Sequence, residues 1–294
     1  MVKHEVGFLI TAYDQIREVA FTINMLRTKW VSTRKAPIVL VVSGDSNRSL
    51  MFDNDDFTRV VHLDNIVGEH FKTLVSTSIM KQLEHGMIEM KDLEREHGDI
   101  KRIVHMHGDI LLLGEQGFFS EIERWDASGK PVAADPVSAG GPWHLPNLDG
   151  KGKDYDLIWY GQELMPQLFA VDHHFCKHTG FLYDMPVIGD LEEKATEWAL
   201  IGNLHRAVHE EGGGEALLPY VDVNKNKSGP YENVYAKEVH TVNAGRQQWG
   251  LHFHWGGFCH FGNSIHYTKE HREKRNEVVL RQYGLDLTAW DEGR

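Results

Sequence analysis

The side chains best suited to chemistry are concentrated in residues 101–114, which read KRIVHMHGDILLLG. His105, His107 and Asp109 alternate along this apolar segment, and residues two apart lie on the same face of a strand. Imidazole and carboxylate groups that share a face can bind a divalent metal ion together. This pattern predicts a chemically active strand face, provided that the strand does not bend at Gly108. A half-buried strand with two hydrogen-bonded histidines and a turn aspartate fits the same residues, so both interpretations stay open.

A second group of histidines lies near the end of the chain, where residues 245–263 read GRQQWGLHFHWGGFCHFGN. His252 and His254 alternate, which places both on one side of a strand. The glycines after Trp255 allow the backbone to approach a ligand closely. The same pattern also fits an aromatic cluster that seals the end of a sheet, so both interpretations stay open.

Apolar runs separated by polar breaks predict the elements that must position these groups. The predicted strands are residues 6–11, 37–43, 59–63 and 131–134, with 101–114 as the fourth in order, and the predicted helices are 15–30 and 69–96. A β-α-β-β-α-β order is typical of an open, mostly parallel α/β sheet. We expect such a sheet here.

Three of these strands end in polar segments, at residues 11–14, 43–45 and 107–109. Ligands of parallel sheets bind at the carboxyl ends of the strands, so these segments predict one nucleotide-sized site. Neither a GxGxxG nor a GxxxxGK[ST] motif follows the first strand. A metal ion is therefore the expected partner for the phosphates.

Composition excludes several other classes of function. The chain has 294 residues and a net charge of −12, which argues against a nucleic-acid partner. Its two cysteines, Cys176 and Cys259, form no disulfide framework or CxxC pattern. No window approaches the roughly 20 apolar residues that a transmembrane helix needs. We expect a cytoplasmic protein.

The second half of the chain contains a long loop, some scattered histidines and one clear helical pattern. Residues 135–160 are rich in glycine, proline and lysine, which is typical of a binding loop. His173, His174 and His178 are expected to be partly buried histidines of a loop or strand. Residues 189–211 predict a helix that begins with a capping box, and 268–294 predict a charged terminal helix and tail.

Taken together, these features resemble the glycosyltransferases of the GT-A fold over roughly residues 6–265. The resemblance implies a single Rossmann-like α/β domain with an open, mostly parallel, twisted sheet and helices on both faces. We expect a catalytic domain at residues 1–267, with a nucleotide-binding half at about 1–115 and an acceptor-binding half at about 116–267. Residues 268–294 would form the C-terminal helix and tail.

The resemblance also assigns nucleotide-binding positions. In this family a short segment after the first strand lines the nucleoside pocket, an acid after the second strand contacts the base or ribose, and an Asp-x-Asp motif follows the fourth strand. The matching positions here are Thr11, Ala12, Tyr13, Asp45, and His107-Gly108-Asp109. His107 replaces the first aspartate of the motif, whereas Asp109 keeps the position of the usual metal ligand. His105, which lies outside the motif, is expected to be a packed strand histidine.

A late histidine commonly completes the metal shell in this family. His254 is preferred to His252 for that role, because the Trp255-Gly256-Gly257 turn that follows it can close over a ligand. His107 is a further candidate ligand. Carboxylate and imidazole groups together suit Mn²⁺, with Mg²⁺ as the alternative, and the ion would neutralise the leaving diphosphate.

Inverting members of the family place an acidic base at the start of a helix after the acceptor loop. Glu193 or Asp190 holds that place here, although helix capping accounts for both acids equally well, and a retaining enzyme needs no such base. Trp143, His144 and Trp255 would contact the acceptor, because aromatic faces stack on sugar rings.

The implied function is transfer of a hexosyl or pentosyl group from a nucleotide-diphosphate sugar to a carbohydrate or other hydroxyl acceptor. One alternative is a metal-dependent hydrolase, since His105-Met106-His107 resembles the HxH pair of amidohydrolases, although that pair normally ends a first strand. A catalytically inactive carbohydrate-binding module is another alternative. Nucleotidyltransferases share the same layout.

Overall fold

The protein is described by a computed structural model that covers residues 5–12, 15–44, 52–64, 71–137, 144–145, 155–156, 163–184, 220–222, 239–244, 247–253, 281 and 284–285. The strands in these ranges are β1 (Val6–Ala12), β2 (Ile38–Gly44), β3 (Thr58–Asp64), β4 (Arg102–His107), β5 (Ile110–Leu112), β6 (Val132–Val137), β7 (His144–Leu145), β8 (Tyr155–Asp156), β9 (Glu163–Asp172), β10 (Tyr220–Asp222), β11 (Val239–Ala244) and β12 (Gln247–Phe253). The helices are α1 (Ile16–Asn24), which continues into a π-helical turn at Met25–Lys29, α2 (Phe71–His97), α3 (Glu115–Ser128) and α4 (His173–Thr179). Among the described residues, no helix has the length and apolarity needed to cross a membrane.

The described residues fall into two compact units. One lies within Met1–Thr11, Lys35–His107 and Glu121–Leu218, and the other within Ala12–Arg34, Gly108–Ser120 and Pro219–Arg294. The domain boundaries expected from the sequence, at residues 115 and 267, stay a prediction.

The first unit contains a six-stranded sheet in the order β3-β2-β1-β4-β9-β6. β2 pairs in parallel with β3, and β1 pairs in parallel with β4, whereas β9 runs antiparallel to both of its neighbours. The α/β class and the mostly parallel sheet predicted from the sequence are therefore confirmed. The antiparallel strand β9 was not predicted.

Helix α2 packs closely on this sheet because two glycines remove side-chain bulk from the contact. Met87 and Met90 of the helix are fully buried in the same core as Leu9 of β1. A Cβ added at Gly86 would lie 2.3 Å from Cδ1 of Leu9, and one added at Gly7 would lie 2.7 Å from Sδ of Met90. These close approaches hold α2 against β1, the strand that carries Thr11.

The second unit contains an antiparallel sheet in the order β10-β11-β12-β5. Its aromatic core runs from Trp30 through Phe118 to Trp249, with ring centroids 5.3 Å apart at both contacts. The carboxylate of Glu115 accepts hydrogen bonds from the backbone N–H groups of Ser32 at 2.7 Å and Val31 at 3.1 Å. The first turn of α3 thereby fixes the turn that follows the π-helical segment.

The strand face expected for His105, His107 and Asp109 depended on a strand that does not bend at Gly108, and the chain turns there. β4 ends at His107, Gly108 and Asp109 form a turn, and β5 belongs to the antiparallel sheet of the second unit. The apolar pattern on both sides of the turn comes from two buried strands that join different sheets. Asp109 consequently does not continue the strand face that His105 and His107 share.

Candidate nucleotide-binding site

The site begins at the point where the strand order of the six-stranded sheet reverses. From β1 the chain runs outward to β2 and β3, and it then returns to place β4 on the other side of β1. Ligands of open α/β sheets bind at the carboxyl ends of the two strands that flank such a reversal. In the parallel register of β1 and β4, Thr11 lies opposite His107 at those ends. Two of the predicted nucleotide-binding residues are therefore neighbours.

His105 lies on β4, two residues before His107, and is fully buried. Its Nε2 atom lies 3.0 Å from Oγ1 of Thr11. Its ring packs on Phe169 of β9, with centroids 4.6 Å apart, and meets the ring of His107 edge-on at 5.3 Å. The prediction that His105 is a packed strand histidine is confirmed, and the hydrogen bond to Thr11 is an addition that the sequence did not indicate.

Gly108 is required by a close approach to the start of α1. A Cβ at this position would lie 2.9 Å from Cγ2 of Val19, 3.0 Å from Cβ of Ala12 and 3.2 Å from Cβ of Gln15. Contacts that short leave no room for a side chain, so the backbone itself packs there. Ala12, another predicted nucleotide-binding residue, is buried as part of this contact.

Asp109 follows in the turn and is 7% exposed. A carboxylate that is withdrawn from water to this degree needs polar or ionic partners. β12 pairs with β5 so that His252 lies opposite Ile110, the residue directly after Asp109. The backbone of the histidine-rich segment therefore runs beside the strand that the Asp109 turn leads into.

The described residues supply only part of the predicted metal-binding set. His107, which is half-buried, and Asp109 have described side chains, and among the described residues no group of three or more His, Cys, Asp or Glu is arranged to hold a metal ion. An imidazole and a carboxylate are donor types that Mn²⁺ accepts, but they do not complete a coordination shell. The metal site stays a prediction.

Several predicted site residues lie outside the described part of the chain. They are Tyr13, Asp45, Trp143, Asp190, Glu193, His254 and Trp255. For His144 and His252 the structure describes the backbone alone, in β7 and β12. His144 pairs with Asp156 of β8, which shows that the predicted loop at 135–160 contains a short antiparallel pair.

A group of titratable residues that the sequence did not bring together lies at the opposite, amino-terminal end of β4. His173 is fully buried, with Nδ1 3.1 Å from the carbonyl oxygen of Ile100 and 3.4 Å from Oε1 of Glu94. Its Nε2 lies 2.6 Å from the hydroxyl of Tyr183, and Nζ of Lys177 lies 2.9 Å from Oε1 of Glu94. These contacts connect α4 and the residues after it to α2.

The pKa shifts in this group follow from burial and charge. Burial lowers the pKa of His173, and this effect outweighs the opposing attraction of Glu94. Burial acts to raise the pKa of Glu94, but Lys177 and His173 together bring it below its ordinary value. A neutral imidazole beside an ionised, lysine-paired carboxylate is the expected state at neutral pH. The group lies at the end of β4 remote from Thr11, so we assign it to the packing of α4.

Similarity to known proteins is confined to solved structures. No protein-family model matches the chain. No curated protein sequence matches it either. The similar structures include 4-diphosphocytidyl-2C-methyl-D-erythritol synthase from Anaerococcus prevotii, at 13% identity and a TM-score of 0.36, with 72% of this chain and 85% of that chain covered.

Two further solved structures are similar to this chain over part of its length. Residues 1–349 of TarS from S. aureus match at 12% identity and a TM-score of 0.43, with 69% of this chain and 55% of that chain covered. A cytidylyltransferase from Leptospira borgpetersenii matches at 10% identity and a TM-score of 0.40, with 72% and 74% covered. The match thus spans little more than half of the TarS chain.

Proposed function

We propose that this protein is a metal-dependent glycosyltransferase that moves a sugar from a nucleotide-diphosphate donor to a carbohydrate or other hydroxyl acceptor. The observation that carries the proposal is the register of β1 and β4, in which Thr11 lies opposite His107 at the reversal of strand order. Thr11 belongs to the segment expected to line a nucleoside pocket, and His107 belongs to the segment expected to hold the diphosphate. The two segments therefore meet at the strand ends, where open α/β sheets bind ligands.

In this proposal the donor is held mainly from the two strand ends. Thr11 and His107 offer a hydroxyl and an imidazole at adjacent positions, and the glycine at 108 lets the next turn pack closely on α1. Asp109 and His107 would hold the metal ion, completed by His254 or His252. A bound Mn²⁺ or Mg²⁺ supplies Lewis-acid stabilisation of the leaving diphosphate.

The acceptor half of the reaction rests on residues outside the described ranges, with the exception of the backbone of His144. For an inverting enzyme, Glu193 or Asp190 would accept the proton of the acceptor hydroxyl. The hydroxyl oxygen would then bond to the anomeric carbon of the donor sugar as the bond from that carbon to the diphosphate breaks. Trp143, His144 and Trp255 would position the acceptor sugar.

The first experiment is a thermal-shift titration with nucleoside diphosphates of each base, in Mn²⁺, in Mg²⁺ and in EDTA. A ligand that binds the native state adds about 2.7 kcal/mol of stability at one hundred times its Kd, so one base should give a clear metal-dependent rise in Tm. Asp109→Asn should abolish the metal-dependent part of the rise. Asp99→Asn is the matched control, because Asp99 is exposed.

If no nucleotide raises the Tm in any metal, the glycosyltransferase proposal is wrong. If a nucleotide does bind, analysis of the reaction products distinguishes a glycosyltransferase from a nucleotidyltransferase. Release of a nucleoside diphosphate from a nucleotide sugar supports the proposal, whereas release of pyrophosphate from a nucleoside triphosphate and a sugar phosphate identifies a nucleotidyltransferase. The hydrolase alternative is disfavoured by one observation: His105 of the HxH pair has no exposed surface and its Nε2 is engaged with Thr11.

A further inference from the structure

His105 is a polar side chain at a position whose cross-strand partners are both apolar. It lies in the middle of the sheet, opposite Leu9 of β1 on one side and Phe169 of β9 on the other, and it has no exposed surface. Burying a polar group costs free energy unless it gains a hydrogen bond. The structure shows where that bond is made.

The imidazole does not bond to its direct cross-strand partner. It reaches diagonally along β1, two residues toward the carboxyl edge, so that Nε2 lies 3.0 Å from Oγ1 of Thr11. Thr11 is 4% exposed and is the residue opposite His107. The hydrogen bond therefore ends on a side chain that belongs to the proposed nucleotide site.

The same imidazole also supports the other strand end. The rings of His105 and His107 make an edge-to-face contact with an interplanar angle of 82° and a centroid distance of 5.3 Å. Phe169 of β9 also packs on the His105 ring, with centroids 4.6 Å apart. One buried side chain therefore contacts both Thr11 and His107, and is itself held in place by a third strand.

We infer that His105 is a positioning residue for the proposed nucleotide site: it fixes the Thr11 hydroxyl through a hydrogen bond and the His107 imidazole through ring packing. The inference rests on the proposed function and gives His105 a role beyond the packing that the sequence indicated. Fixing both groups before the ligand arrives reduces the conformational entropy lost on binding.

The test compares His105→Phe, Thr11→Val and the double variant with the unmodified protein. His105→Phe keeps a ring against Phe169 but loses the hydrogen bond, and Thr11→Val keeps the shape of threonine without its hydroxyl. The matched control is Val171→Ala, a buried change in β9 opposite Ile103, near the other end of the strand. All variants are measured by calorimetry in Mn²⁺ with the nucleoside diphosphate identified by thermal shift, at a temperature where circular dichroism shows them folded.

His105→Phe and Thr11→Val should each weaken nucleotide binding by about three- to tenfold, the range expected for one hydrogen bond. The double variant should bind nucleotide with about the same affinity as the single variant that binds more weakly, since both changes break the same contact. His105→Gln should recover most of the affinity, because its amide reaches about as far as Nε2. If His105→Phe binds nucleotide as tightly as Val171→Ala does, His105 is a packing residue and the inference is overturned.

A second measurement needs no ligand and separates this inference from the proposed function. Hydrogen–deuterium exchange of peptides that span residues 106–112 should be faster in His105→Phe than in Val171→Ala at equal global stability. Unchanged exchange would overturn the positioning role. A protein that binds no nucleotide but shows the faster exchange would refute the proposed function and leave the positioning of the strand ends standing.

Discussion

Nε2 of His173 lies 2.6 Å from the hydroxyl of Tyr183, while Nδ1 lies 3.1 Å from the carbonyl oxygen of Ile100. A carbonyl can only accept a hydrogen bond, so Nδ1 carries the proton and Nε2 accepts from the tyrosine hydroxyl. The network therefore fits the neutral imidazole, in agreement with the lowered pKa of His173.

This arrangement predicts a loss of stability in mild acid. Burial lowers the pKa of folded His173 below its ordinary value of 6.5, so the unfolded chain binds the proton first as the pH falls. The stabilising contribution is fully present above about pH 6.5 and decreases below it toward the folded pKa. Urea unfolding at several pH values from 5 to 8 should show this slope.

The slope should be absent in His173→Asn and retained in His174→Asn, a change of an exposed histidine on the same helix. Glu94 does not interfere, because a carboxyl with a lowered pKa contributes stability that is lost only below its ordinary value of 4.5. Equal slopes in the two variants would show that His173 is not the titrating group.

Gly108→Ala should destabilise the protein and weaken nucleotide binding. The new Cβ would lie 2.9 Å from Cγ2 of Val19 and 3.0 Å from Cβ of Ala12, and overpacking of this kind costs about 1–3 kcal/mol. Because Ala12 has no side-chain freedom with which to give way, the turn that carries Asp109 should move. Chemical denaturation and the thermal-shift titration measure the two effects.

A double-mutant cycle with Val19→Ala checks the cause. Removing the Val19 methyl groups relieves the shortest contact, so the double variant should be more stable than the sum of the two single losses predicts. Simple additivity would show that the clash at Val19 is not the source of the effect.

Glu115→Gln should release the turn that contains Val31 and Ser32. Burial acts to raise the pKa of Glu115, but the backbone N–H groups of Ser32 and Val31 and the charge of Arg34 bring it below its ordinary value. The ionised carboxylate thus stabilises the fold above about pH 4.5 and loses this effect in stronger acid. Its loss should cost about 0.5–1.5 kcal/mol at neutral pH, measured by urea unfolding.

Glu123→Gln, an exposed change on the same helix, is the control and should stay within about 0.5 kcal/mol of the unmodified protein. Similar losses for both variants would show that the carboxylate of Glu115 does not hold the turn.

Cys176 should be unreactive in the native protein. It is fully buried, and burial raises the pKa of its thiol far above the usual range, so the thiolate that reacts with disulfide reagents is absent. In a Cys259→Ser background, Ellman's reagent should label the remaining thiol only as the chain unfolds. Rapid labelling in native buffer would show that α4 opens locally.

Much of the sheet could be predicted because its strands are short, apolar and bounded by polar breaks. The predicted strands at 6–11, 37–43, 59–63 and 131–134 correspond to β1, β2, β3 and β6, and the helix predicted at 69–96 to α2. Each is a local pattern. β9 was not predicted, because its place between β4 and β6 depends on pairing with strands distant in the sequence.

Two differences from expectation have local causes. The strand face shared by His105, His107 and Asp109 is not formed because the chain turns at Gly108, the bend on which that expectation depended. The expectation of a loop or strand around His173 failed although its helix carries both end signals: Asp172 caps the first turn by accepting from the N–H of Phe175, and Gly180 ends it with φ of 80°. Those signals outweigh the weak periodicity of a seven-residue helix.

The meeting of two predicted strand ends is observed, whereas the contact that supports them was not predicted. The neighbourhood of Thr11 and His107 follows from strand order, which the sequence indicates. The bond between His105 and Thr11 depends on which residues of β1 and β4 lie diagonal to each other, and register is a property of the assembled sheet.

The same pairing has a consequence for how the protein is made. Thr11 and His105 are 94 residues apart in the chain, so β1 leaves the ribosome long before β4, the strand that pairs with it, is synthesised. During synthesis, at about 5–20 residues per second, the β1 edge stays uncovered for several seconds and offers its backbone groups to other chains. The pair of strands whose carboxyl ends form the candidate site is thus completed late, and conditions that slow translation between β3 and β4 should favour aggregation over folding.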